Sequence, residues 1–370
     1  MPTFNFTVRA TDDLGAYADR NFSINVRNTT VDSFCIIESA SQNDILTSTD
    51  GVNWVRRENA LAFGNASTAG VIYGNGTWLA YKGGSNSNAI YKISYDAINW
   101  VPYSFVDEED QTIPIIDNHS VQFVNGKFCF AARRTTMESP SFYTSVDGKV
   151  WKRMGSITGF GTSSVAATNR ITYGDGTYWI GSSGSPSTTF AYKSTDQGVT
   201  WETVSLTGFT AWNTMGGVYY INGLWITMFN AGSGNTSTLT YATSNDGIIW
   251  TRRTTTLPST YYKAPQVLYG NGRIVLPLAP SSSYTRTFDS VLTSEDGINW
   301  TKRTYTPLGQ GESSTYTNGL YHNGMFIISS NTRTFASGHY GGIRTSSDGI
   351  NWSVVSNDQI SGVLSMASVG

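Results

Sequence analysis

The feature that most constrains the fold is a short pattern, Ser-x-Asp followed four or five residues later by Trp, which occurs seven times in the chain. Subtracting the numbers of successive tryptophans gives spacings of 46, 51, 50, 49, 50 and 52 residues. Self-similarity at so even a period indicates a repeat architecture in which each repeat is one supersecondary unit. The repeated pairs are Asp50 with Trp54, Asp96 with Trp100, Asp147 with Trp151, Asp196 with Trp201, Asp246 with Trp250, Asp296 with Trp300, and Asp348 with Trp352.

A second signal lies between consecutive copies of this pattern. It is an Asn-Gly or Asp-Gly pair at 75–76, 125–126, 175–176, 222–223, 271–272 and 323–324. Such pairs favour two-residue hairpin turns, because both central residues of the turn need positive φ. Each repeat of about 50 residues is therefore predicted to contain two tight hairpins and four antiparallel strands, A to D.

The repeated pattern also has a local mechanical interpretation. The Asp carboxylate is expected to accept backbone N–H groups in the turn between strands C and D, while the following Gly adopts a left-handed conformation. The Trp is expected to fill the space between neighbouring sheets. Ala97 replaces the Gly in one copy, so that turn is predicted to have a different shape.

The two ends of the chain are out of phase with the repeat. The first copy is preceded by strand-like segments at 33–37 and 44–47, which match strands B and C, so strand A is missing. The last copy is followed by strand D and then by the apolar segment 362–367, which matches strand A. The sequence therefore predicts an all-β fold over residues 31–370. The expected architecture is a seven-bladed β-propeller of four-stranded antiparallel blades, closed when the C-terminal strand joins the N-terminal blade.

Residues 1–30 do not fit the repeat and form a separate predicted segment. Apolar residues alternate with polar ones at 4, 6 and 8 and again at 22, 24 and 26, which predicts a hairpin. This stretch resembles the last two strands of bacterial and phage Ig-like or cadherin-like domains. A lone hairpin is marginal in water, so the resemblance implies an attachment segment completed by another chain or by the rest of a longer gene product. Asp12 and Asp13 are interpreted as turn residues.

Bulk properties exclude several classes of function. The formal net charge of −2 shows no excess of basic residues of the kind that binds nucleic acid. No apolar stretch is long enough to span a membrane, and no signal peptide is visible. Cys35 and Cys129 fall on strands B two blades apart, too far for a disulfide. His119, His322 and His339 have no metal-ligand spacing, and no cofactor is predicted.

Strand order separates two faces of the predicted ring. The A–B turns and the repeated Asp turns lie on one face, and the longer B–C and D–A connections lie on the other. Loops on a rigid scaffold commonly carry binding residues, and aromatic side chains near cations suit a sugar or a protein patch. The candidate binding residues in these loops are Trp212, Tyr261, Tyr262, Lys263, Tyr316, Arg333, His339 and Tyr340, together with Arg133 and Arg134.

Basic pairs form a third pattern, just after four of the repeated tryptophans. They are Arg56-Arg57, Lys152-Arg153, Arg252-Arg253 and Lys302-Arg303. An anion-binding belt is one interpretation. The favoured one is protection of strand D, because basic residues on an exposed edge strand block edge-to-edge pairing.

The repeated segments resemble a known family. Ser194–Trp201 reads Ser-x-Asp-x-Gly-x-Thr-Trp, and with its shorter relatives it resembles the Asp-box (BNR) repeats of the sialidase-like propeller superfamily over residues 31–370. The motif Ser-x-Asp-Gly-Ile-Asn-Trp, joined to an Ig-like segment, resembles sequences of phage tail and other virion proteins. The resemblance implies a virion or otherwise extracellular location. Residues 1–30 would contact other virion proteins, and the propeller would bind a host-surface glycan or protein receptor. A purely structural virion component is the alternative.

Catalysis is a second alternative that the sequence disfavours. Sialidases of this superfamily use three arginines, a Tyr–Glu nucleophile pair and an acid/base Asp, with the first arginine in an Arg-Ile-Pro motif before the first repeat. The segment before Trp54 has no such motif. The sequence most similar to the motif, Arg273-Ile274-Val275, falls in a middle blade. No pair of facing carboxylates stands out, as glycoside hydrolysis requires. The chain is therefore expected not to be an enzyme.

Overall fold

The computed structural model describes residues 3–25, 33–38, 43–63, 68–83, 90–109, 113, 121–132, 139–158, 170–181, 190–205, 214–230, 236–261, 266–278, 290–305, 313–334, 338–355 and 363–369. All regular secondary structure in these residues is β-strand. The first two strands, β1 (Thr3–Thr11) and β2 (Tyr17–Asn25), form an antiparallel hairpin of their own. The predicted hairpin near the N terminus is therefore present.

The other strands form seven sheets, the blades, numbered here in chain order. Blades 1 to 3 contain β3 (Phe34–Glu38), β4 (Ile45–Ser48) and β5 (Val55–Arg57); then β6 (Thr68–Gly74), β7 (Thr77–Gly83), β8 (Ile90–Ser94) and β9 (Val101–Tyr103); then β10 (Val106–Asp107), β11 (Gln122–Val124), β12 (Lys127–Ala132), β13 (Ser141–Ser145) and β14 (Val150–Ser156). Blades 4 and 5 contain β15 (Ile171–Gly174), β16 (Thr177–Gly181), β17 (Phe190–Ser194) and β18 (Glu202–Ser205); then β19 (Thr214–Ile221), β20 (Leu224–Asn230), β21 (Thr236–Ser244) and β22 (Thr251–Tyr261). Blades 6 and 7 contain β23 (Leu268–Gly270), β24 (Arg273–Pro277), β25 (Ser290–Ser294) and β26 (Thr301–Thr304); then β27 (Ser313–His322), β28 (Met325–Thr334), β29 (Gly338–Ser346) and β30 (Ser353–Val355). The last strand is β31 (Val363–Ser368).

Blade 1 takes its innermost strand from the C-terminal part of the chain. Strand β31 pairs antiparallel with β3, with Phe34 opposite Ser368 and Ile37 opposite Ser365, and the sheet order is β31-β3-β4-β5. The predicted closure by the C-terminal strand is therefore confirmed. Blade 3 differs from the prediction because β10 adds a fifth strand, parallel to β14.

The hydrophobic core consists of seven clusters in the described residues, one between each pair of consecutive blades. Alternate residues of a strand point to opposite faces of its sheet, so Phe34 packs toward blade 7 while Cys35 packs toward blade 2. The clusters include Ile37 with Trp78, Ile93 with Phe130, Phe142 with Ile180, Trp179 with Trp225, Ile226 with Leu276, Val275 with Phe326, and Ile343 with Leu46. Seven interfaces among seven blades make a closed ring, so the chain is a seven-bladed β-propeller.

The repeated pattern forms a compact turn between strands C and D, called here the Ser-x-Asp turn. In blade 1, the Asp50 carboxylate accepts hydrogen bonds from the backbone N–H groups of Val52 (2.9 Å) and Asn53 (2.7 Å). Hydrogen bonds from the backbone and side chain of Asn53 lower the pKa of Asp50 to about 2. The Ser48 hydroxyl accepts the Gly51 N–H at 2.8 Å. The turn is therefore held by its own side chains.

The tryptophan that ends each Ser-x-Asp turn lies at the interface with the preceding blade. Trp54 and Trp151 are buried, and the other five are half-buried. The indole N–H of Trp54 also donates to the Gly51 carbonyl at 3.0 Å. Each turn thus anchors its own blade to its neighbour. The side of the ring that carries these turns and the A–B turns is called the turn face, and the opposite side is called the loop face.

The turn of blade 2 does not differ in shape, although its Gly is replaced by Ala97. Ala97 has φ 59°, and Asp96 still accepts the N–H groups of Ile98 (2.9 Å) and Asn99 (2.8 Å). The prediction of a different shape is therefore wrong. An alanine in the left-handed region costs roughly 1–2 kcal/mol, a cost small enough for the hydrogen bonds of the turn to offset.

Room for the Ala97 methyl group comes from Cys35 on the preceding blade. In five of the other six turns, a Cβ added to the Gly would meet strand B of the blade before, as at Gly51, where Ile327 Cδ1 would lie 2.8 Å away. Cys35 holds in blade 1 the position that Ile327 holds in blade 7. Each pairs with the threonine that directly precedes the Ser of its own blade's turn. Ala97 is fully buried and shares a cluster with Cys35. The smaller thiol therefore matches the larger turn residue.

We expect Cys35→Ile to lower the free energy of unfolding by about 1–3 kcal/mol, because the added methyl groups would crowd Ala97. The double variant Cys35→Ile/Ala97→Gly should recover most of this loss, since it restores the pairing found at Ile327 and Gly51. Denaturant unfolding of both single variants and the double variant measures the coupling. Additive effects of the two substitutions would show that the residues do not compensate each other.

Candidate functional site

Within the described residues, the strands of blades 5 and 7 extend farther toward the loop face than those of the intervening blade 6. Strand β22 has 11 residues and β28 has 10, whereas β24 in the intervening blade 6 has five. Strands β24 and β28 both begin directly after an Asn-Gly turn on the turn face, so the extra length of β28 lies on the loop face. At about 3.3 Å per residue, five extra residues extend blade 7 by about 16 Å.

Blade 7 brings four of the candidate binding residues onto one projection. Arg333 on β28 pairs in register with His339 on β29, and Tyr340 follows His339 in the same strand. Tyr316 lies on β27, the strand on the other side of β28, and pairs with Ser330. By register, Arg333 and His339 fall on one face of this sheet, and Tyr316 and Tyr340, the partners of Ser330 and Thr332, fall on the other.

These residues were predicted to lie in loops, and that part of the prediction is wrong. Tyr261 ends β22 with Thr236 as its partner, and Tyr316, Arg333, His339 and Tyr340 also lie in strands. The segments are rich in Thr and Tyr, which favour strands, so pairing continues past the body of the blade. Trp212, Tyr262, Lys263, Arg133 and Arg134 lie outside the described residues.

A buried ion cluster on the loop face of blade 1 was not anticipated. Arg56 Nη1 contacts Glu38 Oε2 at 2.7 Å, and Arg56 Nη2 donates to Glu38 Oε1 at 2.9 Å. Arg56 also contacts Asp44 Oδ2 at 3.3 Å, and Asp44 Oδ1 accepts the backbone N–H of Asn59 at 2.7 Å. The Glu38 side chain is fully buried. The bidentate contact with Arg56 pairs this buried carboxylate with a cation, so the cluster ties strands B, C and D together.

The basic pairs of strand D show a regular contact with strand C. The second residue of each pair is an arginine, and it donates its Nε–H to a hydroxyl of the adjacent strand. The four contacts are Arg57 with Thr47 (3.3 Å), Arg153 with Ser141 (3.0 Å), Arg253 with Thr243 (2.8 Å) and Arg303 with Thr293 (3.4 Å). Strand D is the outermost strand of blades 1, 5 and 6, whereas in blade 3 β10 pairs outside the start of β14. Protection of an edge strand therefore remains a prediction for blades 1, 5 and 6.

Two further arginines stack on aromatic rings near the loop face. Arg170 lies directly before β15, and its guanidinium is 5.0 Å from the centre of the Tyr219 ring in the next blade. Arg344 is 2% exposed, and its guanidinium is 4.6 Å from the Tyr305 ring centre. Neither residue was identified from the sequence, because a single arginine in or beside a strand carries no local signal. Both contacts hold neighbouring blades together.

Metal and membrane signatures are absent from the described residues. No group of three or more His, Cys, Asp or Glu side chains in them could hold a metal ion. The two cysteines, Cys35 on β3 and Cys129 on β12, are buried and are not joined in a disulfide. No helix capable of spanning a membrane occurs in the part of the chain that the structure describes.

The fold is similar to those of several solved propellers. YCF48 bound to a D1 peptide matches at 14% identity and a TM-score of 0.47, covering 78% of this chain and 81% of that one. A Trypanosoma rangeli sialidase matches at 13% identity and a TM-score of 0.46, covering 90% and 58%. The Aleuria aurantia lectin AAL matches at 11% identity and a TM-score of 0.46, covering 80% and 96%. No protein-family model and no curated protein sequence matches the chain.

Proposed function

We propose that this chain is a non-enzymatic receptor-binding propeller of a virion, of the phage-tail type, whose loop face binds a glycan or protein on a host surface. The observation that carries the proposal is the projection of blade 7, which presents Tyr316, Arg333, His339 and Tyr340 on three paired strands. Binding residues on strands of a closed ring are held more rigidly than residues on loops.

The geometry of the Ser-x-Asp turns supports membership of the Asp-box branch of the sialidase-like propellers. In each of the seven turns the Ser hydroxyl bonds to the Asp carboxylate, at distances between 2.8 and 3.1 Å. These aspartates serve the turn and are not available as catalytic acids.

The hairpin near the N terminus supports the proposed attachment to other virion proteins. Its described side chains, residues 6–21, are all exposed, including Phe6 at 44% and Val8 at 49%. On the opposite side of the hairpin the charged side chains pair with each other, since Arg9 forms a bidentate ion pair with Asp19 at 2.7 Å. A two-stranded sheet with apolar residues exposed on one side is marginal alone, so a partner protein would cover that side.

The binding proposal predicts a loss of affinity when the blade 7 residues are removed. The triple variant Tyr316→Ala/Arg333→Ala/Tyr340→Ala should bind host-surface extracts or a glycan array at least about tenfold more weakly, because aromatic and arginine residues dominate binding hot spots. A matched control carries Val52→Ala/Ile248→Ala/Ile298→Ala, three exposed apolar residues on the turn face. The control should bind like the wild type, and both variants should keep its melting temperature.

The other outcomes separate the alternatives. Equal binding by both triple variants would place the site elsewhere on the molecule. Release of sugar from the same glycans by the wild type would favour the glycosidase alternative. An internal position of the propeller in purified particles, seen by electron microscopy, with no binding to any host extract, would favour a purely structural component.

A further inference from the structure

Five Asn-Gly turns join strands A and B with the same backbone conformation. The φ values of Asn75, Asn125, Asn222, Asn271 and Asn323 lie between 47° and 52°, and those of the glycines that follow lie between 69° and 78°. No atom lies within 4 Å of a Cβ position at these glycines, so all five turns are open to solvent. Any difference in their chemistry must therefore come from the asparagine side chains.

Asn75 and Asn271 are clasped by the next blade around the ring. Asn75 Nδ2 donates to the Gly126 carbonyl in the neighbouring A–B turn and to a carbonyl in the neighbouring Ser-x-Asp turn, both at 2.9 Å. Asn271 Nδ2 donates to the equivalent carbonyls at 3.3 and 2.7 Å, and its Oδ1 accepts the hydroxyl of Tyr321 at 2.6 Å. In both turns the amide is fixed by more than one bond.

The Asn125 amide is held by side chains of the next blade, and the amides of Asn222 and Asn323 are not held by hydrogen bonds. Asn125 Nδ2 reaches the Tyr178 hydroxyl at 3.1 Å and Gln197 Oε1 at 3.2 Å. Within the part of the chain that the structure describes, the Asn222 and Asn323 side chains make no hydrogen bond. The same turn thus occurs in clasped and unclasped forms.

The residue before the asparagine explains the difference. A Cβ on Gly74 would lie 2.0 Å from the Phe123 ring of the next blade, and one on Gly270 would lie 2.2 Å from the equivalent aromatic ring. Only glycine permits this approach, which brings the neighbouring turn within hydrogen-bonding distance. Ile221 and His322 occupy this position before the two unclasped asparagines, so neither turn has the glycine that allows the close approach.

We propose that Asn222 and Asn323 are sites of spontaneous deamidation and that hydrogen bonds to the next blade protect Asn75, Asn125 and Asn271. In this reaction the backbone nitrogen of the following glycine loses its proton and attacks the asparagine Cγ. The new N–Cγ bond closes a succinimide, the Cγ–Nδ2 bond breaks, and ammonia leaves with the proton. Water then opens the ring to aspartate or isoaspartate. Glycine as the next residue offers the least hindrance, and a free side chain can rotate into position.

Blade 4 shows that an aspartate is compatible with this turn. Asp175 stands where the other blades have asparagine, with φ 45°, and Gly174 before it is packed against the Tyr220 ring as in the clasped turns. Conversion of Asn222 or Asn323 to aspartate should therefore leave the fold intact. Conversion of Asn75 would also remove the two hydrogen bonds that its amide donates to the next blade.

The test is incubation of the folded full-length chain in mildly alkaline buffer, followed by proteolysis and mass spectrometry. Peptides containing Asn222 and Asn323 should show the mass of the carboxyl product and isoaspartate on the order of tenfold faster than the others, because a clasped amide must first give up its hydrogen bonds. In the urea-unfolded chain, all five should react at similar rates, since each is followed by glycine. Equal rates in the folded protein would overturn the proposal.

Two sets of variants test the clasp separately. Gln197→Ala removes one acceptor from Asn125 and should speed its deamidation, while the rate at Asn222 stays unchanged as the matched control. Asn222→Asp and Asn323→Asp should leave the melting temperature unaltered, and Asn75→Asp should lower it. A Gln197→Ala protein in which Asn125 reacts no faster, or a stable Asn75→Asp protein, would contradict the role of the clasp.

Discussion

Deletion of residues 363–370 is expected to lower the melting temperature by about 10 °C or to abolish cooperative unfolding altogether. Strand β31 contributes three buried apolar residues, Val363, Met366 and Ala367, to the clusters on either side of blade 1. Its loss would also expose Phe34 and Ile36 on β3, which are now buried. At about 1.5–3 kcal/mol per large buried side chain, the loss is comparable with the whole stability of a typical domain.

The deletion has a matched control at the other end of the chain. Removal of residues 1–25 takes away the hairpin, whose described side chains are exposed, and should leave the melting temperature unchanged. A synthetic peptide of residues 363–369 should raise the melting temperature of the truncated protein as its concentration increases, because it can pair with the free edge of β3. A truncated protein that melts like the full chain would show that the ring does not depend on β31.

Stability is expected to fall steeply as the pH drops from about 4 to about 2. The pKa of all seven Ser-x-Asp carboxylates is lowered, to about 2 for Asp50, Asp96 and Asp196. In Asp96, Asp147 and Asp348, burial acts to raise the pKa, but hydrogen bonds from the turn outweigh it. Because the folded pKa lies below the unfolded value, this stability is present above the unfolded pKa and is lost on acidification.

The measurement is the free energy of unfolding in denaturant at a series of acidic pH values. Its slope against pH gives the protons taken up on unfolding, and the Ser-x-Asp turns alone can contribute up to seven. Asp296→Asn should remove about one proton from this uptake, since the amide keeps the acceptor but not the charge. Glu58→Gln, which replaces an exposed carboxylate outside the turns, controls for the loss of a negative charge. An uptake that Asp296→Asn does not change would contradict a role for the turn carboxylate.

The architecture could be predicted from the sequence because its signals are local and repeated. Two turn patterns in each repeat define four strands, and the mismatch of the chain ends with the repeat identifies β31 as the missing strand of blade 1. The shape of the turn at Ala97 was predicted wrongly, because it depends on Cys35 of another blade. The clasps also depend on contacts between repeats, although a glycine before Asn75 and Asn271 is a sequence signal that could have predicted them.

The candidate site was less predictable for a related reason. The sequence identified aromatic and basic residues between the turns but assigned them to loops, because strand length beyond the blade body has no periodic marker. Arg333 and His339 become register partners only when β28 and β29 pair along their full length. The ion cluster of Glu38 and Arg56 joins residues of strands B and D, and no motif within a single strand reveals it.

The origin of strand A in blade 1 has a consequence for biosynthesis. Blade 1 is started near the beginning of the propeller sequence and completed by β31, so its first strands emerge from the ribosome long before their partner. During translation, β3 exposes an unpaired edge and the apolar residues Phe34 and Ile36. Nascent chains in this state are prone to aggregate. We therefore expect this propeller to need chaperone protection, or rapid completion of the chain, more than a ring whose blades are each contiguous in sequence.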